Sequence, residues 1–542
     1  MNGGAVRRAW TRLELVATAY RSMINEAAPA AVAIIGAGFG GLAMGIRLKQ
    51  AGIHDFVILE KEKRVGGTWR DNHYPGAACD VESHLYSFSF EPWPAWTREY
   101  APQQEILAYL EACAAKHDLL PHIRFGHRVK SASFDERSGV WELCAEDVRT
   151  GESRTTRARA LVSAPGGLSR PAYPDIPGLA SFQGKTMHSA RWDDDYRLEG
   201  KRVAVIGTGA SAVQIVPSIA PRVERLHVFQ RTPPWVVPKG DRPIAPRTRW
   251  LFRRVPLLQS LVRASIYSRN ELLGMGFVAD SRLMWLPHRV ALLHLRRSVP
   301  DPVLRARLTP DYVIGCKRIL PTDDYYPALQ RPNVELVTDP IREITPRGVV
   351  TQEGTGSAHE RPVDALVLAT GFQAAEGKPI PLRGRDGREL GAVWRGGGAE
   401  AYLGTTVAGF PNAFFIVGPN TGLGHTSMVI MIESQVSYIL ACLRYMSRHG
   451  VKLVDVRPDV QARYNGRLQA RLAKAVWSTG RCKSWYTTRK GKNTTLYPGF
   501  TFEFRFLTRR FDPGDYHLVE WREETSRTQR GRRSRRDRAM SG

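Results

Sequence analysis

Two clusters of small residues carry the first recognisable chemistry in this chain. Gly36, Gly38 and Gly41 stand in a G-x-G-x-x-G spacing directly after the apolar run AVAII, and Gly207, Gly209 and Ala212 follow RVAVI in the same way. In such a cluster the first glycine permits a tight strand-to-helix turn, and the second lets the backbone approach a pyrophosphate. The third position, Gly41 or Ala212, lets helix and strand pack closely. Free N–H groups and the dipole at the start of the helix favour an anion. A lone glycine pattern is weak; it gains weight from a preceding strand, a following helix and an acid at the right distance. Glu60 is that acid for the first cluster, ending the run FVILE 24 residues after Gly36. A carboxylate there accepts hydrogen bonds from ribose hydroxyls and repels a 2′-phosphate, so the first site prefers FAD or NAD over NADP. In the second cluster the corresponding residue is Gln230, followed by Arg231 and Thr232. A guanidinium beside the ribose favours a 2′-phosphate through paired, charge-assisted hydrogen bonds, which points to NADPH.

One site that rejects phosphate and one that welcomes it imply electron transfer from NADPH to a bound flavin. The six cysteines, at 79, 113, 144, 316, 442 and 482, include no C-x-x-C. Zinc-ribbon and thioredoxin-type chemistry are therefore excluded, no metal site is expected, and a closely spaced redox pair beside the flavin is missing. Oxygen is the remaining electron acceptor. The cysteine usage suits a reducing compartment and argues for a cytoplasmic protein.

These groups need elements to hold them. Residues 31–36, a helix to about Ala51 and residues 56–60 read as one β-α-β unit; residues 202–207, a helix and 226–230 read as a second. The predicted architecture is α/β, with two Rossmann-like dinucleotide-binding domains and a helical insertion. Residues 1–28 form an N-terminal extension, 29–170 the first part of the FAD-binding domain, and 171–365 the NADP-binding domain with the insertion at about 242–310. Residues 366–520 return to the FAD domain, and 521–542 are a basic, disordered tail. The 20 uncharged residues from Ala27 to Ile46 have the length of a membrane span, but five are glycine, and a buried strand, turn and helix explain them better. Residues 1–26 lack the apolar core of a signal peptide, and Met23 offers an alternative start. The net charge of +26 is concentrated: residues 527–538 hold seven arginines against Asp537, and residues 242–297 hold eleven against Glu271 and Asp280. This distribution argues against a specific nucleic-acid partner. The arginines of 242–297, with Leu251, Leu257, Leu258 and Leu261, form amphipathic helices expected to cover a domain, with peripheral membrane contact the lesser reading.

At this point three stretches resemble the class B flavoprotein monooxygenases, and among them the Baeyer–Villiger monooxygenases. Phe182, Gly184, His188, Trp192 and Asp193 match the family fingerprint F-x-G-x-x-x-H-x-x-x-W-[PD]. Gly66-Gly67-Thr68-Trp69, with Tyr74-Pro75-Gly76 and Asp80, fits the family's second pattern. Lys317-Arg318 resembles the segment that carries the family's active-site arginine, and Ala369-Thr370-Gly371-Phe372 its linker. The resemblance spans about residues 30–515. It implies a cycle in which NADPH reduces FAD, O₂ adds to the flavin C4a carbon, and the peroxyflavin attacks a ketone to give an ester or lactone. It implies that Arg318, positioned by Asp80, stabilises the peroxyanion and the oxyanion of the adduct, since arginine keeps its charge at neutral pH. It places Lys317 near the NADP phosphate, Gly67, Thr68 and Trp69 at the FAD, and Trp485 near the substrate pocket.

Blander readings stand beside these. His188 reads as a hinge or packing residue between the two cofactor domains; Trp69, Tyr74 and Trp192 read as packing; Asp323, Asp324 and Glu433 read as surface or network residues. Without the resemblance, Asp80 and Arg318 read equally as a structural ion pair. The rival activities are N- or S-hydroxylation of amines or thioethers, and a basic flavoprotein that binds membranes or nucleic acid and uses its cofactors only structurally. Substrate identity and oligomeric state are not legible.

Overall fold

The computed structural model describes residues 28–353, 356–373, 380–482 and 484–521. The expected tail from 522 onward, and all but the last residue of the expected N-terminal extension, lie outside them.

The first domain is organised by β1 (Ala30–Ile35), whose last four residues are buried on both faces, as a central parallel strand requires. A turn leads to α1 (Phe39–Gln50), which buries Leu42, Ala43, Met44, Ile46 and Leu48, and then to β2 (Phe56–Leu59). β2 and β3 (Ser153–Ser163) flank β1 in parallel, so Ala33 lies level with Val57 on one side and Leu161 on the other. The strands His127–Asp135 and Val140–Asp147 extend this sheet as an antiparallel meander. Between β2 and the meander, residues 66–100 wrap the sheet as loops around buried Phe88 and Trp96.

The chain then builds a second sheet. β4 (Lys185–His188), β5 (Arg202–Ile206) and β6 (Arg225–Phe229) belong to it, with α2 (Ala212–Ile219) crossing over between β5 and β6. Helices α3 (Pro246–Arg254), α4 (Pro256–Val278) and α5 (Trp285–Ser298) form the insertion. The sheet is completed by β7 (Val334–Val337) and β8 (Ala365–Leu368), in the all-parallel order β7-β6-β5-β8-β4. A domain boundary at 365/366 would cut through β8, which sits in the interior of this sheet between β5 and β4. The crossing back to the first domain therefore falls after Leu368. A separate three-stranded antiparallel sheet, Ile341–Ile344, Gly348–Glu353 and Ser357–Pro362, covers one face of the second domain.

Back in the first domain, Ala413–Phe415 joins β3 in parallel, and α6 (Met428–Arg448) packs on α1. Among the described helices α6 alone is long and apolar enough to cross a membrane, but Ile430, Val436, Tyr438, Ile439 and Leu440 are buried in the first core, so it serves as a core helix. The short α7 (Thr501–Leu507) closes the domain.

Candidate active site

Each glycine turn has the shape its spacing demands. Gly36 adopts φ +96°, and an added Cβ would lie 2.6 Å from the carbonyl oxygen of Ala164. A Cβ on Gly41 would overlap the carbonyl oxygen of Gly36. Gly38 faces Gly67, 3.6 Å from its Cα to a built Cβ, which leaves a cradle of bare backbone between the two loops. Gly38 caps α1 without a side-chain hydrogen bond, and no acid stands in the first turn, so the free N–H groups are left for an anion. Glu60 is buried beside this turn: its Oε2 accepts the Ala37 N–H at 2.8 Å, and Oε1 accepts from Glu62 N–H at 3.0 Å and Arg70 at 3.2 Å. A carboxylate oxygen has two lone pairs, so Oε2 keeps one for a ribose hydroxyl. Thr68 and Trp69 begin a one-turn helix, Thr68–Asp71, and the Trp69 indole donates to Tyr86 Oη at 3.1 Å.

The second turn repeats the design. Gly207 has φ +114°, with Ala369 O 2.5 Å from a built Cβ, while open space surrounds Gly209. α2 also begins without a side-chain cap or an acid. Gln230 does not face this space; its amide donates to Arg307 O at 2.8 Å and ties down the end of the helical insertion. Arg231 is exposed, and Thr232 O accepts from Thr208 Oγ1 at 3.0 Å. Burial and then the charge of Arg231 pull the Lys317 pKa below its ordinary value. Two cations from separate segments thus converge here, as a phosphate site requires.

Between the two turns lies the pair singled out in the sequence. Arg318 Nε donates to Asp80 Oδ2 at 2.6 Å and Nη2 to Oδ1 at 2.7 Å, a two-pronged bond that fixes the guanidinium plane. The Asp80 charge holds the Arg318 pKa above its usual value; burial works against the Asp80 charge, but Arg318 outweighs it and the carboxyl pKa is lowered. Arg318 precedes the short strand Leu320–Pro321, which lies on Val236–Val237 of the second domain, while Asp80 comes from the first. The pair therefore spans the cleft. Asp80 is placed by a bracket: Tyr74 Oη donates to Gln214 Oε1 at 2.9 Å, and the Gln214 amide donates to Ala78 O at 2.9 Å, both joining the loop before Asp80 to α2.

The fingerprint from Phe182 to Asp193 builds the edge of the second sheet. A Cβ on Gly184 would strike Asp364 O at 2.5 Å and the Phe182 ring at 2.6 Å. Trp192 is buried in the second core, and Lys185 pairs with Asp193. His188 ends β4, buried, with its ring 5.9 Å from Phe372 and 5.4 Å from Tyr173. Both linkers between the domains thus pass this imidazole, and burial lowers its pKa. Asp323 accepts the N–H groups of Lys239 and Gly240, and Glu433 accepts the N–H and the hydroxyl of Ser89, as network residues do.

Two arrangements were missed. Trp485, expected near a substrate pocket, is 48% exposed and rests on Tyr486, 4.6 Å away between ring centres. Tyr486 is the buried neighbour of the pair, its phenol pKa raised by burial and countered by the Arg318 charge. The sequence signal for Tyr486 is only its place next to Trp485. Cys316 and Cys482 form a disulfide across 166 residues of chain, a departure from wholly reduced usage. It ties the segment bearing Lys317 and Arg318 to the stretch before Tyr486, a long-range pairing that spacing does not announce.

Comparison with known proteins places the chain. The family model for pyridine nucleotide-disulphide oxidoreductases matches residues 33–259, the stretch holding both glycine turns but neither Cys316 nor Cys482. A Baeyer-Villiger monooxygenase of Pseudomonas aeruginosa is 51% identical over 507 residues, covering 92% of this chain and 94% of the relative. One of Streptomyces coelicolor is 49% identical over 491 residues, covering 90% and 92%. Among solved structures, an OTEMO complex with FAD and NADP superposes with a TM-score of 0.81 at 29% identity, over 90% of this chain and 99% of that one. The closed form of a cyclohexanone monooxygenase superposes at 0.78 and 31% identity, over 91% and 99%.

Proposed function

The chain belongs to the Baeyer–Villiger monooxygenases, and on that premise we propose that Arg318, held across the cleft by Asp80, is the fixed positive charge on which its chemistry turns. The protein is an FAD- and NADPH-dependent flavoprotein monooxygenase that uses O₂ to convert a ketone to an ester or lactone. The bound flavin supplies the oxygen-activating chemistry; the chain's own residues bind, orient and stabilise charge around it.

The observation that carries this reading is the two-pronged Arg318–Asp80 pair bridging the domains. Oxygen insertion next to a carbonyl passes through an anionic adduct, and a preorganised cation aimed at that charge stabilises it without reorganising. Asp80 limits the guanidinium to one orientation, which a solvated arginine would not keep. Tyr486 lies beside the pair and narrows its exposure to water. Arg231 and Lys317 read the 2′-phosphate of NADPH. Gly36, Gly38, Gly41 and Glu60 hold the FAD, and His188 with Phe372 forms the hinge. A thioether is a second acceptor that this site would oxidise; its oxidation creates no oxyanion, so it depends less on Arg318. We place the enzyme in the cytoplasm, with access to the reduced nicotinamide carrier.

Arg318→Ala tests the reading. The variant should bind FAD and be reduced by NADPH, yet form ester about 100-fold more slowly and release hydrogen peroxide in its place, by analogy with loss of one oxyanion donor. Ester formation at the normal rate would remove Arg318 from the mechanism.

A further inference from the structure

The longest helix of the insertion presents large apolar side chains outward. On α4, Gln259, Asn270 and Glu271 are buried, whereas Leu257, Leu261 and Leu272 stand outward at 67%, 56% and 65% exposure. Together with Ala264, Ser268 and Met275 they recur at steps of three and four residues, so they form one stripe along the helix. Trp250 on α3 and Trp285 at the start of α5 are exposed on neighbouring elements. α7 is fixed to α4 by Thr501, which bonds Glu271 and Tyr267, and it adds exposed Phe502 and Phe506. A soluble surface scatters large apolar side chains singly; a contiguous run of this kind marks an interaction face.

Charge identifies the occupant. Glu271 is buried under Thr501, so Asp280 is the sole exposed acid between residues 242 and 297. Arg253 and Arg254 on α3, Arg282 in the turn after α4, and Arg289, Arg296 and Arg297 on α5 are exposed on the elements flanking the stripe. Arg263 and Arg269 are engaged inward, by backbone carbonyls of 84–87 and by Glu82. Two copies of this face would bring their arginines together, whereas an anionic surface would satisfy them. We propose that this face docks the enzyme peripherally on an anionic lipid surface, the leucine stripe and Phe506 entering between headgroups while the arginines meet lipid phosphates. Tryptophans at the edge suit the boundary between water and hydrocarbon. The inner side of the same helix carries Phe277 onto Trp477, with 6.0 Å between ring centres, in the cluster that contains Cys316 and Tyr486. The docked face and one wall beside Arg318 are thus two sides of one helix. The proposal stands on the surface alone and does not require the assigned reaction.

The test is flotation of the full-length, FAD-loaded chain with vesicles of phosphatidylcholine, alone or with one third phosphatidylglycerol. Binding to the anionic vesicles, falling as salt is raised, is expected. The triple variant L261S/L272S/F506S should bind at least about ten-fold more weakly while its NADPH-dependent turnover of a water-soluble ketone stays unchanged. The arginine-rich tail is intact in that variant, so equal flotation of variant and parent would assign the binding to the tail and overturn the proposal. Absence of flotation at low salt would overturn it too. So would a parent dimer in solution that the variant loses, since that would make the face a self-contact.

Discussion

On the proposed reading, Lys317 and Arg231 are a pair of like charges that tunes the NADPH site. Burial and the neighbouring guanidinium both disfavour the ammonium, so the Lys317 pKa is lowered. The ammonium is the form that binds phosphate, so affinity for NADPH is fully present below the lowered value and is lost as pH rises through it. The KM for NADPH is therefore expected to rise at alkaline pH, beginning below the ordinary lysine value. Lys317→Arg, which cannot lose its proton, should flatten that rise. Arg231→Ala should raise the KM about ten-fold or more, the worth of a charge-assisted hydrogen bond, and narrow the preference over NADH. It should also move the Lys317 break to higher pH, because the like charge is gone. Initial rates across pH with NADPH and NADH check both. At this scale the sequence is informative where the proposed chemistry follows from residue type: an acid at Glu60 and a cation at Arg231. It was silent on Tyr486, because which of two adjacent aromatics turns inward depends on the packing of a loop.

One of the contacts by which the insertion helices dock on the first domain has a built-in acid sensitivity. Arg263 donates to the carbonyls of His84, Leu85 and Ser87, and the Gln259 amide meets His84 Nδ1 at 3.2 Å. His84 is buried, its ring edge-on to Phe252, and burial followed by the Arg263 charge lowers its pKa from 6.5 to about 4. The folded state thus holds it neutral, while the unfolded chain protonates it near 6.5. Its contribution is whole above pH 6.5 and is lost as pH falls toward 4, a loss of roughly 3 kcal/mol. Thermal melts should show that decline across this window, and His84→Gln should remove most of it. An equally steep decline in the variant would place the acid sensitivity elsewhere. The helical character of this segment was legible from its leucine and arginine spacing. Its orientation was not: periodicity gives a helix two faces, and here buried polar partners such as Glu271–Thr501 reverse the usual assignment, leaving outward the leucines expected to cover a domain.

Across the whole molecule, function depends on two separately built sheets meeting at one crevice. Gly76 lies at the contact, with φ +82° and Gln214 O 2.7 Å from a built Cβ. Gly76→Ala should therefore push the loop before Asp80 off α2, by strain and by contact with backbone that cannot yield. Flavin content should persist, while the rate of flavin reduction by NADPH falls and peroxide release rises. Stopped-flow reduction and peroxide assay read these, and unchanged reduction would show that the bracket is not needed for domain alignment.

The sequence by itself determined the two dinucleotide turns, the FAD and NADPH pair, the α/β class and the family fingerprint, because each rests on local geometry or on one residue's charge. Tertiary structure decided the rest. It gave β8 to the second sheet, set Tyr486 beside Arg318, joined Cys316 to Cys482 and turned the leucines of α4 outward. Each of these depends on which distant segment arrives to pack, and no spacing along a single chain encodes that.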